Sequence, residues 1–352
     1  MKFGGAALKD GAGVRRAVSI VEEHGGASPV VVVSALEGVT DLLVQAARSA
    51  ARGEVDVEAV RVRHRSVLRE LGADPERLDR YVRELTLLLS SISARRDLRA
   101  VELDHVLSFG ERASARIVAG CFEAAGVPAT PVDSYDLGLT TDSNHGNARP
   151  LPSEHAAVQR AVSEVPGVPV VTGFLAKDSA GNLTTLGRNG SDLSAALLAE
   201  AIGAAAVEFW KGVPGILTAD PLVVPDARPL ERLSFADAEE LGQLGARVLH
   251  PEAIAPATRA GVEVRVRYVE DPAHPGTTLT ESQEGAGLVA AVATTKGSLS
   301  AVALVGAVGA AALALALLLL LPLLLLLLLA LLLALHLVER RRERRLRGRR
   351  RG

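Results

Sequence analysis

Along residues 1–280 the chain alternates between short, continuous apolar runs and longer amphipathic stretches. The apolar runs include PVVVVSA (29–35), PVVTGFLA (169–176), AAVEFW (205–210) and VEVRVRYV (262–269). Their β-branched content and short length predict strands, and their continuity predicts cover on both faces of a parallel sheet. The intervening periodicity predicts helices over 13–24, 193–202 and 236–244. Strand and helix in alternation imply an α/β layered fold with right-handed crossovers. In such a sheet, ligands bind beyond the carboxyl ends of the strands. Residues 53–104 break the rhythm, reading as two amphipathic helices separated at Gly72-Ala73-Asp74-Pro75. They are expected to form a helical excursion capping one end of the site, with most of their charges on a solvated face.

Polar clusters follow the predicted strands. KFGG (2–5) is a strand start running into two glycines, which let a backbone approach a phosphate and donate N–H groups to it, while Lys2 adds a point charge. Ser34 is expected at a strand's carboxyl end, and Thr40 as the N-cap of the next helix or a ligand contact. LSFGERASARI (107–117) reads as a loop-to-helix junction with Glu111 in the first helical turn, where the helix dipole favours it. The run Arg188-Asn189-Gly190-Ser191-Asp192 separates an extended stretch from an Ala/Leu helix. Arg188 offers a planar fork suited to a carboxylate, and Asp192 could cap the helix or hold a ligand or metal. Lys211, Thr218 and Asp220 lie in a Gly/Pro-turned loop; Arg247 and His250 follow, the histidine reading as structural. No GxxxxGK[ST] or GxGxxG run is present.

Composition narrows the picture modestly. Aromatic residues make up only 3 %, so Val, Leu, Ala and Ile must fill the core. The one cysteine, Cys121, excludes a disulfide framework within the chain and is expected to be a small buried hydrophobe in an apolar helical run. The N-terminal stretch has no apolar signal region. A net charge of −2 conceals a tail, ERRRERRLRGRRRG (339–352), that carries +7, leaving −9 on the rest. That mildly acidic body gives no footprint for nucleic acid.

Taken in order, KFGG, VVVVSALEGVTDLL, SFGERASARI, the long block from GFLAKD through GRNGSD to VLHPEAI, and PAHPGTTL resemble the aspartate kinases of the amino-acid kinase superfamily. The likeness covers residue 2 to about residue 279. It implies a three-layer α/β/α sandwich with a mostly parallel central sheet and a catalytic domain over 1–280 that includes the helical insertion (51–104). It also implies ATP-dependent phosphorylation of the side chain of L-aspartate in the cytoplasm, with Mg2+ on the nucleotide, as the first step toward lysine, threonine, methionine and diaminopimelate. By position, Lys2 with Gly4 and Gly5 resembles the phosphate clamp. Arg188 and Glu111 resemble readers of the aspartate carboxylate and ammonium, and Ser34 and Thr40 line that pocket. Lys211, Gly212 and Arg247 match ATP-binding positions, and Asp192 an organiser of the phosphate-proximal lysine or of the metal.

Three departures stand out. The family's usual KFGGTS has become KFGGAA, Gly212 stands where an aspartate is usual, and Arg247 replaces a common lysine. Residues 285–306 look like the start of an ACT regulatory module, which when intact would dimerise the chain. Residues 307–338 are an apolar low-complexity segment, and no charged side chain occurs from 297 to 338. Two accounts of that segment stay open: a membrane hairpin turned at Pro322, or a tail foreign to the family, as from a shifted reading frame. The alternatives to an aspartate kinase are an impaired, membrane-tethered kinase-like binding protein and a kinase for another carboxylate such as glutamate.

Overall fold

The structure is a computed structural model that describes residues 1–24, 26, 28–219, 224–243, 249, 251–281, 289–294 and 300–305. Eight strands form the main sheet: β1 (Lys2–Phe3), β2 (Val31–Val33), β3 (Ala129–Val132), β4 (Val168–Thr172), β7 (Ala206–Lys211), β8 (Arg232–Ser234), β9 (Glu263–Tyr268) and β10 (Thr277–Thr280). Their order is β3-β4-β2-β1-β7-β9-β10-β8, and every neighbouring pair is parallel except β9–β10. Two further strands, β5 (Leu175–Lys177) and β6 (Leu183–Thr185), form a separate antiparallel hairpin, as do β11 (Val289–Thr294) and β12 (Ser300–Val305).

The two-residue period of the strands divides the core. Val31, Val33, Val170, Phe3 and Trp210 face one apolar layer with helices α1 (Gly11–His24), α2 (Val39–Ala51), α3 (Glu58–Leu71), α4 (Asp79–Arg95) and α5 (Ala100–Ala124). Val32, Val171, Val207 and Phe209 face the other, with α6 (His155–Ser163), α7 (Gly190–Ile202), α8 (Phe235–Gln243) and α9 (Pro251–Arg259). The result is the three-layer α/β/α arrangement with a mostly parallel sheet.

Several expectations need correction. The run 169–176 is two strands, because Gly173 and Phe174 (φ 67°) turn the chain out of the sheet. Cover on both faces holds for β1 and β2, which are buried throughout. In β9, by contrast, Val264 and Val266 are buried while Arg265 stays half-exposed, pairing with Glu263 and Glu208. The expected helical insertion does contain α3 and α4, but residue 104 falls inside α5, which runs unbroken for 25 residues. Leu107–Ile117 is therefore mid-helix and not a junction. Cys121 is half-buried, its thiol pKa raised by burial. Of residues 285–306 the structure describes only the β11–β12 hairpin; the apolar segment 307–338 and the basic tail 339–352 lie outside the described residues. Among the described residues, no helix is long and apolar enough to cross a membrane.

Candidate active site

Strand β1 lies between β2 and β7: the chain passes from β1 to β2 on one side and returns later to β7 on the other. This is a topological switch point, where the loops beyond the carboxyl ends diverge and open a crevice. A cleft of about 480 Å³ occupies it, lined by residues from the ends of β1, β2 and β7, from α5, and from the start of α7.

At its floor, Asp192 sits between two ammonium groups. Lys2 Nζ lies 2.5 Å from Asp192 Oδ1 and Lys211 Nζ 3.0 Å from Oδ2. The three come from distant points in the sequence: Lys2 from the central strand, Lys211 from the end of its neighbour β7, and Asp192 from the first turn of α7, where an acid also suits the helix dipole. Burial disfavours the charged form of Asp192, but the two lysines outweigh it and hold the carboxyl below its ordinary range. Lys211 is shifted down, chiefly by burial and further by Lys2, with Asp192 opposing. Among the described residues, two ammoniums flank this one carboxylate, an arrangement suited to meeting an anion at the floor.

Glu111 forms the far wall. Its Oε1 accepts a hydrogen bond from Ala35 N–H at 3.1 Å, and it is 4 % exposed. Burial raises its pKa to about 7, opposed by backbone hydrogen bonds and by Lys2. The first-turn account of Glu111 is thus overturned: tertiary packing, and not the helix dipole, sets its surroundings. Its neighbour Gly110 permits that packing. A Cβ there would stand 2.8 Å from Ala35 Cβ and 3.3 Å from Leu43 Cδ1, so only glycine lets α5 lie this close to the turn after β2.

Ser34 lies just past β2 and lines the cleft, half-buried. Thr40 lines it too, exposed in the first turn of α2, but it is not the N-cap. That place belongs to Gly38, whose φ of 80° is costly for a side-chain-bearing residue. Gly5 lines the cleft at the start of a short 3-10 turn (Gly5–Leu8), whose first amides lack intrahelical acceptors. Gly4 sits beside the Lys2 ammonium, with Nζ 3.4 Å from where a Cβ would be. Arg188 is exposed and makes no hydrogen bond or ion pair among the described residues, but its neighbours Gly187 and Asn189 both line the cleft. Gly212, one residue past Lys211, is exposed, and a side chain there would meet open space. Arg247, Asp220 and His250 lie outside the described residues.

The sequence reading missed two participants. Phe174 lines the cleft from a left-handed backbone conformation, its ring against Gly190. Asp41, in the first turn of α2, lines it as well. A Gly-Phe pair ending an apolar run was the available signal for the first; nothing distinguished the second. Among the described residues, no group of three His, Cys, Asp or Glu side chains converges to hold a metal ion.

The sequence model of the amino acid kinase family matches residues 1–268. The chain belongs to the amino acid kinase family. Within it, the chain is 34% identical to aspartokinase 1, chloroplastic, of Arabidopsis thaliana over 296 residues, which are 81% of this chain and 52% of that protein. It is 33% identical to lysine-sensitive aspartokinase 3 of Escherichia coli over 300 residues, 83% of this chain and 66% of that one. Among solved structures, E. coli aspartokinase III in complex with aspartate and ADP superposes with a TM-score of 0.72 at 30% identity, covering 83% of this chain and 66% of the other. The chain thus spans about half the length of the chloroplast relatives and two-thirds of the bacterial one.

Proposed function

We propose that this amino acid kinase transfers the γ-phosphoryl group of ATP to the side-chain carboxylate of L-aspartate, giving ADP and 4-phospho-L-aspartate, at the entry to the aspartate family of amino acids. The observation that carries the proposal is the pairing, within one cleft, of the Lys2–Asp192–Lys211 floor with the buried acid Glu111. The relative solved with aspartate and ADP supports the choice of substrates.

The chemistry asks little of the protein beyond placement. The nucleophile is a carboxylate already ionised at neutral pH, so no side chain need remove a proton. One carboxylate oxygen forms the new bond to the γ-phosphorus as the bond to the β–γ bridging oxygen breaks and ADP departs. Lys2 and Lys211 would offset negative charge on the transferring group, and Asp192 would hold both ammoniums at fixed separation. The Gly5 backbone would approach the phosphates, and Gly212 the rest of the nucleotide. Glu111 would take the substrate ammonium and Arg188 its α-carboxylate, with Ser34 and Thr40 beside them, so that the reactants meet in line. Mg2+ would arrive with ATP as the MgATP substrate.

A coupled assay of ADP release on the full chain, run with aspartate, glutamate and N-acetylglutamate in turn, tests this directly. ADP release should depend on aspartate and be at least about ten-fold slower with the others, since glutamate is longer by a methylene and N-acetylglutamate also lacks the ammonium that Glu111 would pair. Arg188→Ala should raise the aspartate KM by about ten-fold or more, the loss of one charge-assisted contact. Equal turnover of glutamate, or an Arg188→Ala chain with unchanged aspartate KM, would refute the assignment of the clamp.

A further inference from the structure

Seven residues before Glu111, and therefore on the same face of α5, lies Asp104, which is fully buried and outside the cleft. Three donors converge on its carboxylate. Thr185 Oγ1 donates to Oδ1 at 2.6 Å, Gly146 N–H reaches both oxygens at 3.0 Å, and His145 Nδ1 lies 2.9 Å from Oδ2. Thr185 is the last residue of β6, three positions ahead of Arg188. The segment carrying His145 is bound to the same strand a second and third time, through Ala148 N–H to Thr185 O at 2.9 Å and through the Thr141–Thr184 hydroxyl pair at 2.6 Å. Asn147 then fills the side of the loop: its Oδ1 lies 2.2 Å from where a Cβ on Gly187 would be, and Gly187 has a φ of 70°. Asp178 closes the back of the cluster, accepting from Ser143 Oγ at 2.9 Å.

We infer that Asp104 is a positioning residue for the amino-acid subsite, acting through Thr185 and the 143–148 segment on the loop that carries Arg188; this rests on the function proposed above. Among the described residues Arg188 has no hydrogen-bond or ion-pair partner to orient it, so its direction is set by the backbone beneath it. That backbone is anchored to α5 at Asp104, and α5 also carries Glu111. Two helical turns, about 10 Å along the axis, separate the two acids. One rigid helix thereby fixes both ends of the substrate clamp, the ammonium side directly and the carboxylate side through a buried carboxylate. Among the described residues, Lys2 and Asp192 make no hydrogen bond or ion pair with this cluster, so the aspartate side should feel its loss before the nucleotide side.

The test is steady-state kinetics on the full chain and its Asp104→Asn, Thr185→Val and Thr185→Ser variants, varying aspartate and ATP separately, with thermal unfolding measured alongside. An asparagine at 104 would turn a donor toward three donors, and valine at 185 removes one of them. Both should raise the aspartate KM about ten-fold or more, as expected when a buried hydrogen bond to a charged group is lost, while the ATP KM stays within about two-fold. Thr185→Ser should return the aspartate KM to near the parent value. If Asp104→Asn fails to fold, Thr185→Val with its serine rescue decides alone. Unchanged aspartate KM values, or equal rises in both KM values, would overturn the inference while leaving the proposed reaction standing. A parent chain inert toward aspartate would remove both together.

Discussion

Glu111 carries the sharpest consequence at the scale of a single residue. With its pKa near 7 it is divided between neutral and charged forms at neutral pH, and only the charged form pairs with an ammonium. The kcat/KM for aspartate should therefore climb as pH rises from 6 toward 7 and level off near 8, with the KM for ATP flat. A flat aspartate profile over that range would contradict the assigned role. The effect on folding runs the other way. A carboxyl whose pKa is raised in the folded chain contributes stability at low pH and loses it between about 4.5 and about 7 as the buried group is forced to ionise. Glu111→Gln should then be more stable than the parent at pH 8, by up to about 3 kcal/mol, while its aspartate KM rises steeply. Asp192 should behave oppositely. Asp192→Asn removes the carboxylate that Lys2 and Lys211 share, which should cost about 3 kcal/mol or more in chemical unfolding and lower kcat by about a hundred-fold or more. Full activity in Asp192→Asn would remove the clamp from the mechanism.

At the scale of elements, helix packing decides where the site residues stand, and this is where the sequence was least legible. The strands announced themselves through continuous valine runs, and α7 through the polar mouth that precedes it. Lys2, Ser34, Lys211 and Asp192 could be placed near one another because each follows or ends a predicted strand or opens a helix. Glu111 could not: its 25-residue helix reads locally as a junction because Ser108, Gly110 and Ser114 are poor helix formers. Gly110 is explained only by what lies opposite, an Ala35 too close to admit a side chain. Gly110→Ala gains about 1 kcal/mol of helix propensity but drives a methyl into Ala35 and Leu43. Overpacking against a backbone-anchored Cβ should prevail, giving a net loss of about 1–2 kcal/mol in chemical unfolding and a higher aspartate KM. A variant as stable as the parent would show that α5 has room to move. The short strands β3, β8 and β10 and the helices α6 and α9 escaped notice for a related reason. They are three to nine residues long and draw their stability from neighbours more than from any pattern of their own.

At the scale of the whole molecule, the fold brings together residues spread from Lys2 to Lys211 by reversing the strand order at β1. No single cluster in the sequence is sufficient to specify the chemistry. Acting together they make a floor in which two lysines share one carboxylate and a wall with a titratable acid, which suits a reaction between two anions. Trapping the product tests that claim most directly. The full chain, incubated with MgATP, aspartate and hydroxylamine, should yield aspartyl hydroxamate in step with ADP, because an acyl phosphate is intercepted as it forms. ADP accumulating without hydroxamate would mean that the phosphoryl group goes to water, and that the cleft does not bring a carboxylate to it.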